Sequence, residues 1–345
     1  MIRVLIVEDS LTMRMLLKTI LESDPELQVI GMAANGEDGV RQALALKPDI
    51  ITMDIHLPGM DGFETTRRIM EQRPTPIVIV SSSVDRSEVL VTFNAIQAGA
   101  LDVLEKPTST AHPNFAALRE RLVTTVKLMS EVKVIRRYRS QAAQRSVGAG
   151  WLAGRPYALL AVGASTGGPA ALNALFKELP PQFPLPIVVV QHMTIGFTAG
   201  LVAWLQLASR LPVRLAGAGE HLQPGVIYLA PDDTHIQLVE RGVIGLSKAP
   251  PVSHVRPSAT VLFESAARVY GAEAIGVLLT GMGDDGARGL KALRDCGAAT
   301  IAQDEATSAV YGMPKAAVEL GAADQVLPLP QIAAAVLALV GCTSR

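Results

Sequence analysis

Short β-branched runs alternate with amphipathic stretches along most of the chain, and that alternation restricts the fold more than any other feature. The first third reads RVLIV, LTMRMLLKTILES, QVIGMAA, GEDGVRQALAL, DIITMDI, PIVIVSS and LDVLEKP. Parallel neighbours need a long connection, so this order predicts a doubly wound parallel sheet with crossover helices. Apolar residues then recur every three or four positions through Phe115, Leu118, Leu122, Val126, Met129 and Val132, which predicts a helix leaving the first domain. From Tyr157 a second α/β pattern begins with YALLAVGAS, PIVVVQHM, VIYLAP, HIQLV, AIGVLLTG and ATIAQD. Between the two patterns, VKVIRRYRSQAAQRSVGAGWLAGRP is basic, then small and polar, with no sustained period, and reads as a linker. The expected division is a domain at 1–125, a linker at 126–155 and an α/β domain with a mainly parallel sheet at 156–345.

Composition narrows the classes of partner. At 345 residues the chain exceeds one ordinary core, and 49% of it is apolar, so burial is not limiting. A net charge of -1 gives no general pull toward nucleic acid or an anionic membrane. Lys133, Arg136, Arg137, Arg139 and Arg145 cluster in the linker and read as a solvated face; no helix-turn-helix signature accompanies them. The two cysteines, Cys296 and Cys342, offer neither a disulfide framework nor a zinc spacing and fit a reducing cytoplasm. The longest later apolar run, near IAAAVLALVG, is well short of a membrane span, and no signal peptide is read.

Acidic residues end two of the early strands, Glu8 and Asp9 after RVLIV and Asp54 within IITMDI. Carboxyl ends of parallel strands converge on the ligand crevice, so the three carboxylates can meet there. Their mutual repulsion calls for a cation, and a hard Mg²⁺ suits oxygen ligands. Ser81 ends PIVIVSS, and Lys106 precedes Pro107, a candidate cis peptide. A hydroxyl and an ammonium beside such a cluster are what a transferred phosphoryl group needs around its oxygens. Taken singly, each residue has a plainer role as a cap or loop residue. Jointly, and with the loop MDIHLPGMDGFE, they resemble the receiver domain of two-component response regulators over residues 1–125. The resemblance implies a flavodoxin-like fold with Asp54 as phosphoacceptor, and Glu8, Asp9 and Asp54 as Mg²⁺ ligands. It also implies Ser81 as the hydroxyl switch and Lys106 as the phosphate partner. Val103 stands where many receivers carry an aromatic switch residue, and His56 is a less usual neighbour of Asp54.

In the second pattern, GASTGGP places Ser165 and Thr166 where a strand hands over to a helix. Such a turn can cradle a phosphate or present a nucleophile. No Walker-type lysine motif follows, and a nucleophile needs a base and an orienting acid. His192 in IVVVQHM and Asp284 and Asp285 in TGMGDDGARG are expected at other strand ends of the same sheet, within reach of Ser165. His221 and His235 read as ordinary surface sites, His254 as a residue that could border a substrate, and no histidine spacing suits a metal.

GASTGGP, QHM, TGMGDDGARG and QDEATSAVYGMPKAA together resemble the catalytic domain of the chemotaxis protein-glutamate methylesterases, the CheB family. That resemblance implies Ser165 as nucleophile, His192 as general base and acid, and Asp285 as the residue that orients it. An oxyanion site would lie around Met282 and the amides after Ser165, beside Thr166. Asp284 stands where relatives often have Asn, and Asp285 is taken as the orienting acid. The implied activity is a cytoplasmic serine carboxylic-ester hydrolase, activated by phosphorylation that relieves cover of the cleft by the receiver. It would need no cofactor for ester hydrolysis, and would also act on receptor glutamines. Implied partners are methyl-accepting chemoreceptors as substrate and a chemotaxis histidine kinase as phosphodonor, with no nucleic acid and membrane contact only through receptors. A phosphorylation-dependent scaffold without turnover is the alternative class.

Overall fold

The computed structural model describes residues 1–81, 93–96, 98–107, 115–132 and 156–342. Its internal contacts divide the chain into two compact units, Met1–Ala142 and Ala143–Arg345.

The first unit runs β1 (Ile2–Val7), α1 (Leu11–Leu21), β2 (Leu27–Ala33), α2 (Gly36–Leu46), β3 (Ile50–Met53), α3 (Gly62–Gln72), β4 (Ile77–Ser81), β5 (Asp102–Glu105) and α4 (Phe115–Ser130). The strands form one parallel sheet in the order β2-β1-β3-β4-β5. Its central strands β1, β3 and β4 are buried over most of their length, which is why they read as continuous apolar runs rather than alternating ones. Ser10, Asn35 and Asp61 cap α1, α2 and α3 by accepting from the amides of Met13, Asp38 and Glu64. Strand order reverses between β1 and β3, so the crevice opens where Glu8, Asp9 and Asp54 stand. Helix α4 continues past residue 125, with Val126 and Met129 buried among the residues of this unit. The doubly wound, flavodoxin-like arrangement is therefore present.

The second unit runs β6 (Leu159–Ala164), α5 (Gly168–Lys177), β7 (Ile187–Gln191), α6 (Thr198–Ala208), β8 (Val213–Leu215), β9 (Ile227–Leu229), β10 (His235–Glu240) and β11 (Val243–Ser247). It continues with α7 (Ala259–Tyr270), β12 (Ala274–Leu278), α8 (Ala287–Asp295), β13 (Ala299–Gln303), α9 (Met313–Glu319), β14 (Gln325–Leu327) and α10 (Leu329–Leu339). Seven strands make a parallel sheet ordered β14-β13-β12-β6-β7-β9-β8, while β10 and β11 form a separate antiparallel hairpin. Ile236, Leu238 and Ile244 of that hairpin share a core with Leu262, Phe263 and Ala266 of α7. Leu238 N also donates to Ser265 Oγ at 3.0 Å.

That packing overturns the surface reading of His235, which is only 1% exposed. The hairpin carries it against the start of α7, where Ser258 N donates to His235 Nδ1 at 3.2 Å and His235 Nε2 faces the Pro250 carbonyl at 3.1 Å. His221 and His254 are exposed. Among the described residues the cis peptide is Arg256–Pro257, and Lys106–Pro107 is not cis.

One close approach ties α3 to the crevice of the first unit. A Cβ on Gly62 would lie 2.1 Å from the Asp54 carbonyl oxygen and 2.8 Å from Ile55 Cα, both backbone atoms that cannot swing aside. Gly62→Ala is therefore expected to destabilise this unit by about 1–3 kcal/mol and to displace Asp54. Hydrogen exchange on the full chain should show lost amide protection across 50–72, with 156–342 unaffected; unchanged protection would contradict the clash.

Candidate functional site

In the first unit, Glu8 and Asp54 are each only 2% exposed, an unusual depth for two carboxylates. The Lys106 ammonium sits between them, 2.8 Å from Glu8 Oε2 and 2.7 Å from Asp54 Oδ2. Burial pushes the Glu8 carboxyl up, the Lys106 hydrogen bond pulls it back, and the neighbouring Asp54 charge adds to the rise, leaving it above its ordinary value. Burial would lower the Lys106 ammonium, but its hydrogen bonds to Asp54 and Glu8 prevail and raise it. One ligand oxygen from each of Glu8, Asp9 and Asp54 lies within 4.8 Å of the others. Against a single ammonium, three carboxylates leave two negative charges uncompensated, and an all-oxygen donor set fits a hard dication such as Mg²⁺. Ser81 ends β4 fully buried, and its carbonyl accepts from Lys106 N at 2.9 Å. Val103 is buried in β5. His56 is exposed, and its amide donates to Asp54 Oδ1 at 3.3 Å.

In the second unit, β6 lies between β12 and β7. Ala164 pairs with Gln191 in register, and His192 N donates to the Ala164 carbonyl at 3.0 Å, so Ser165 and His192 leave adjacent strands side by side. Ser165 N in turn donates to the Thr280 carbonyl at 3.0 Å, just beyond β12. From the same edge comes Asp285, whose Oδ2 lies 2.8 Å from His192 Nε2. Asp284 is exposed, so of the two neighbouring aspartates it is Asp285 that meets the ring. Among the described residues the Ser165 hydroxyl makes no hydrogen bond to His192; catalytic hydrogen bonds commonly close only around substrate.

Asp285 is held closely. Its Oδ1 accepts from Ser258 Oγ at 2.6 Å and from Thr260 N at 3.2 Å, and its Oδ2 also accepts from Ala259 N at 2.6 Å. Burial would raise this carboxyl, but the hydrogen bond and charge of His192 and the donors of Ser258 and Thr260 outweigh it and hold it at about 2. Asp285 is thus an anion at any physiological pH and only accepts hydrogen bonds, so His192 Nε2 carries the proton between them, and in the neutral imidazole that leaves Nδ1 with the lone pair.

Side chains also brace the strand ends. Buried Gln191 donates from Nε2 to the carbonyls of Ser165 at 2.7 Å and His192 at 2.8 Å. Thr280 Oγ1 reaches the Thr166 carbonyl at 3.0 Å and accepts from Val310 N at 2.9 Å. Gln303 Oε1 accepts from Thr280 N at 2.8 Å, which gives the stretch from Gln303 to Met313 its place at the site. Among the described residues no hydrogen bond takes up the amides of Thr166 or Met282. Sequence reasoning missed Gln191, Ser258, Thr260, Thr280 and Gln303. The Ser-x-x beginning of an amphipathic run signals Ser258 only as a helix cap.

Fold and site together define a class: a response regulator whose second unit is a hydrolase built on a parallel α/β sheet. The CheB methylesterase family matches residues 160–336, and the response regulator receiver domain matches 4–113. A protein-glutamate methylesterase/protein-glutamine glutaminase of Syntrophus aciditrophicus is 49% identical, covering 99% of each chain. One so named from Nitrosospira multiformis is 50% identical over 99% of this chain and 97% of its own. The solved CheB methylesterase catalytic domain of Thermotoga maritima is 41% identical, with a TM-score of 0.52 over 53% of this chain and 99% of that domain. The chain belongs to the CheB methylesterase family.

The Asp285 carboxyl also sets a pH dependence. Lowered from 3.8 to about 2, it contributes stability that is complete above the unfolded value and lost as pH falls through the folded one. The contribution is roughly 2 kcal/mol. Urea unfolding followed by tryptophan fluorescence should show wild type losing about that much more stability than Asp285→Asn between about pH 5 and pH 2. Parallel pH slopes would contradict the assignment.

Proposed function

We propose that the second unit hydrolyses glutamyl methyl esters on chemoreceptors, and deamidates receptor glutamines, with Ser165 as nucleophile, His192 as general base and acid, and Asp285 as its orienting anion. The hydrogen bond between His192 Nε2 and the buried Asp285 carboxylate, beside the strand end that carries Ser165, is the observation that supports this most. The names of the relatives agree with it.

The Ser165 hydroxyl adds to the ester carbonyl carbon while His192 Nδ1 takes its proton, and the fixed Asp285 charge stabilises the imidazolium. Negative charge on the former carbonyl oxygen is met by the uncommitted amides of Thr166, just before α5, and of Met282, in the turn after β12. The imidazolium returns its proton to the departing methanol. Water then attacks the acyl-enzyme with the same base, giving glutamate and free Ser165. With a glutamine substrate the leaving group is ammonia.

The receiver supplies regulation. Asp54 accepts the phosphoryl group from a chemotaxis histidine kinase, with Lys106 and Ser81 meeting its oxygens. Glu8, Asp9 and Asp54 would hold Mg²⁺, which would supply neutralising charge to the phosphoryl oxygens. Phosphorylation raises esterase turnover. No helix among the described residues is long and apolar enough to cross a membrane. We assign the protein to the cytoplasm, acting at the membrane through receptors.

Methanol release from methylated receptors, with and without Mg²⁺ and a small-molecule phosphodonor, tests both halves. Ser165→Ala should lose at least about 10³-fold in kcat, and Asp54→Asn should keep basal turnover while losing the donor response. Wild-type turnover in Ser165→Ala would overturn the nucleophile, and a full response in Asp54→Asn would overturn the switch.

A further inference from the structure

We propose that Ser258 is a positioning residue for the reaction: its hydroxyl locks the Asp285 carboxylate in the rotation that aligns His192. The inference rests on the esterase reading of the cleft. Ser258 is fully buried at the N-terminus of α7. An N-cap needs only to accept, and Ser258 Oγ does so from Val261 N at 3.4 Å. Its one proton is left over for Asp285 Oδ1, at 2.6 Å. Because Asp285 is ionised and can only accept, the hydroxyl must be the donor in that contact. The two roles use different parts of the hydroxyl and do not compete.

The carboxylate's two oxygens have separate duties. Oδ2 faces His192 and the Ala259 amide at 2.6 Å, while Oδ1 faces Ser258 Oγ at 2.6 Å and the Thr260 amide at 3.2 Å. Without the hydroxyl, Oδ1 keeps only the longer contact, and rotation about the terminal bond of Asp285 meets less resistance. Such rotation swings Oδ2 off the His192 N–H axis and lets the imidazole turn away from Ser165. Ser258 is itself fixed from behind. Its amide donates to Nδ1 of buried His235, whose Nε2 proton goes to the Pro250 carbonyl. His235 must be neutral to accept there, so the chain Pro250, His235, Ser258, Asp285, His192 has a donor and an acceptor assigned at every link. The Pro250 end of this chain belongs to the segment after the β10–β11 hairpin.

A double-mutant cycle on the full chain tests the proposal, with methanol release from methylated receptors as the readout and thermal unfolding as the check on folding. Ser258→Ala should lower kcat on the order of 10- to 100-fold with KM unchanged, and Ser258→Thr, which keeps the hydroxyl, should restore most of it. In an Asp285→Ala background, Ser258→Ala should cost no more than about twofold, since the carboxylate it acts through is gone. If Ser258→Ala does not fold, Ser258→Cys, near in size and a weak donor, carries the same cycle. An equal loss in both backgrounds, or no loss of kcat in the single variant, overturns the proposal. Ser165→Ala in the same assay separates the two readings. Wild-type turnover there sinks the esterase assignment, whereas loss in Ser165→Ala and Asp285→Ala with full activity in Ser258→Ala sinks only the role of Ser258.

Discussion

A buried carboxylate is tolerable only when its lone pairs are occupied, and the catalytic unit is organised around meeting that demand at Asp285. Four donors do so: an imidazole following β7, a hydroxyl at the helix cap, and two amides in the first turn of α7. The positive end of the helix dipole adds to them. Reaching this position requires the following residue to have a left-handed backbone and no side chain. Gly286 has φ +87, and a Cβ there would lie 2.7 Å from Leu278 Cδ1 and 3.1 Å from Ala259 Cβ. Helix α7 therefore stabilises the site as much as it stabilises the core.

The receiver handles its buried carboxylates differently. Glu8 and Asp54 share one ammonium, and with Asp9 beside them the three carboxylates outnumber it; burial above all, with the Asp54 charge adding to it, raises the Glu8 carboxyl. Neutral donors built into a backbone suit a group whose charge must never change, as in Asp285. A site that gains and loses a phosphoryl group needs compensation that can also come and go. Lys106 supplies the permanent part, and a hard dication would suit the exchangeable part.

Much of this was legible in the sequence because parallel sheets impose a rule: strand carboxyl ends face the crevice. Glu8, Asp54, Ser165 and His192 could be placed by finding where apolar runs stop. The hairpin was not legible, because HIQLV alternates like any half-buried strand and nothing local says which sheet it joins. His235 looked like a surface residue for the same reason; its burial comes from α7, far along the chain. Strands β8 and β14 have three residues each, too few to show a period. Ser258 was legible as a cap and not as a partner of Asp285, since the two are 27 positions apart and meet only through the packing of α7 on the sheet.

Differences in how far each functional residue stands from its strand account for the remaining bracing. Ser165 and His192 are each the first residue beyond a strand, so the ladder between β6 and β7 fixes their backbones, with the Thr280 carbonyl and the Gln191 side chain added. Asp285 comes seven residues after β12 ends at Leu278, beyond the reach of any ladder. A loop of that length wanders unless tied at both ends. Thr280 and Gln303 tie its beginning, and Ser258 with the α7 amides ties its end. The more distant a residue is from regular structure, the more of its alignment must come from side-chain hydrogen bonds. In this site, that burden falls on Asp285 rather than on Ser165 or His192.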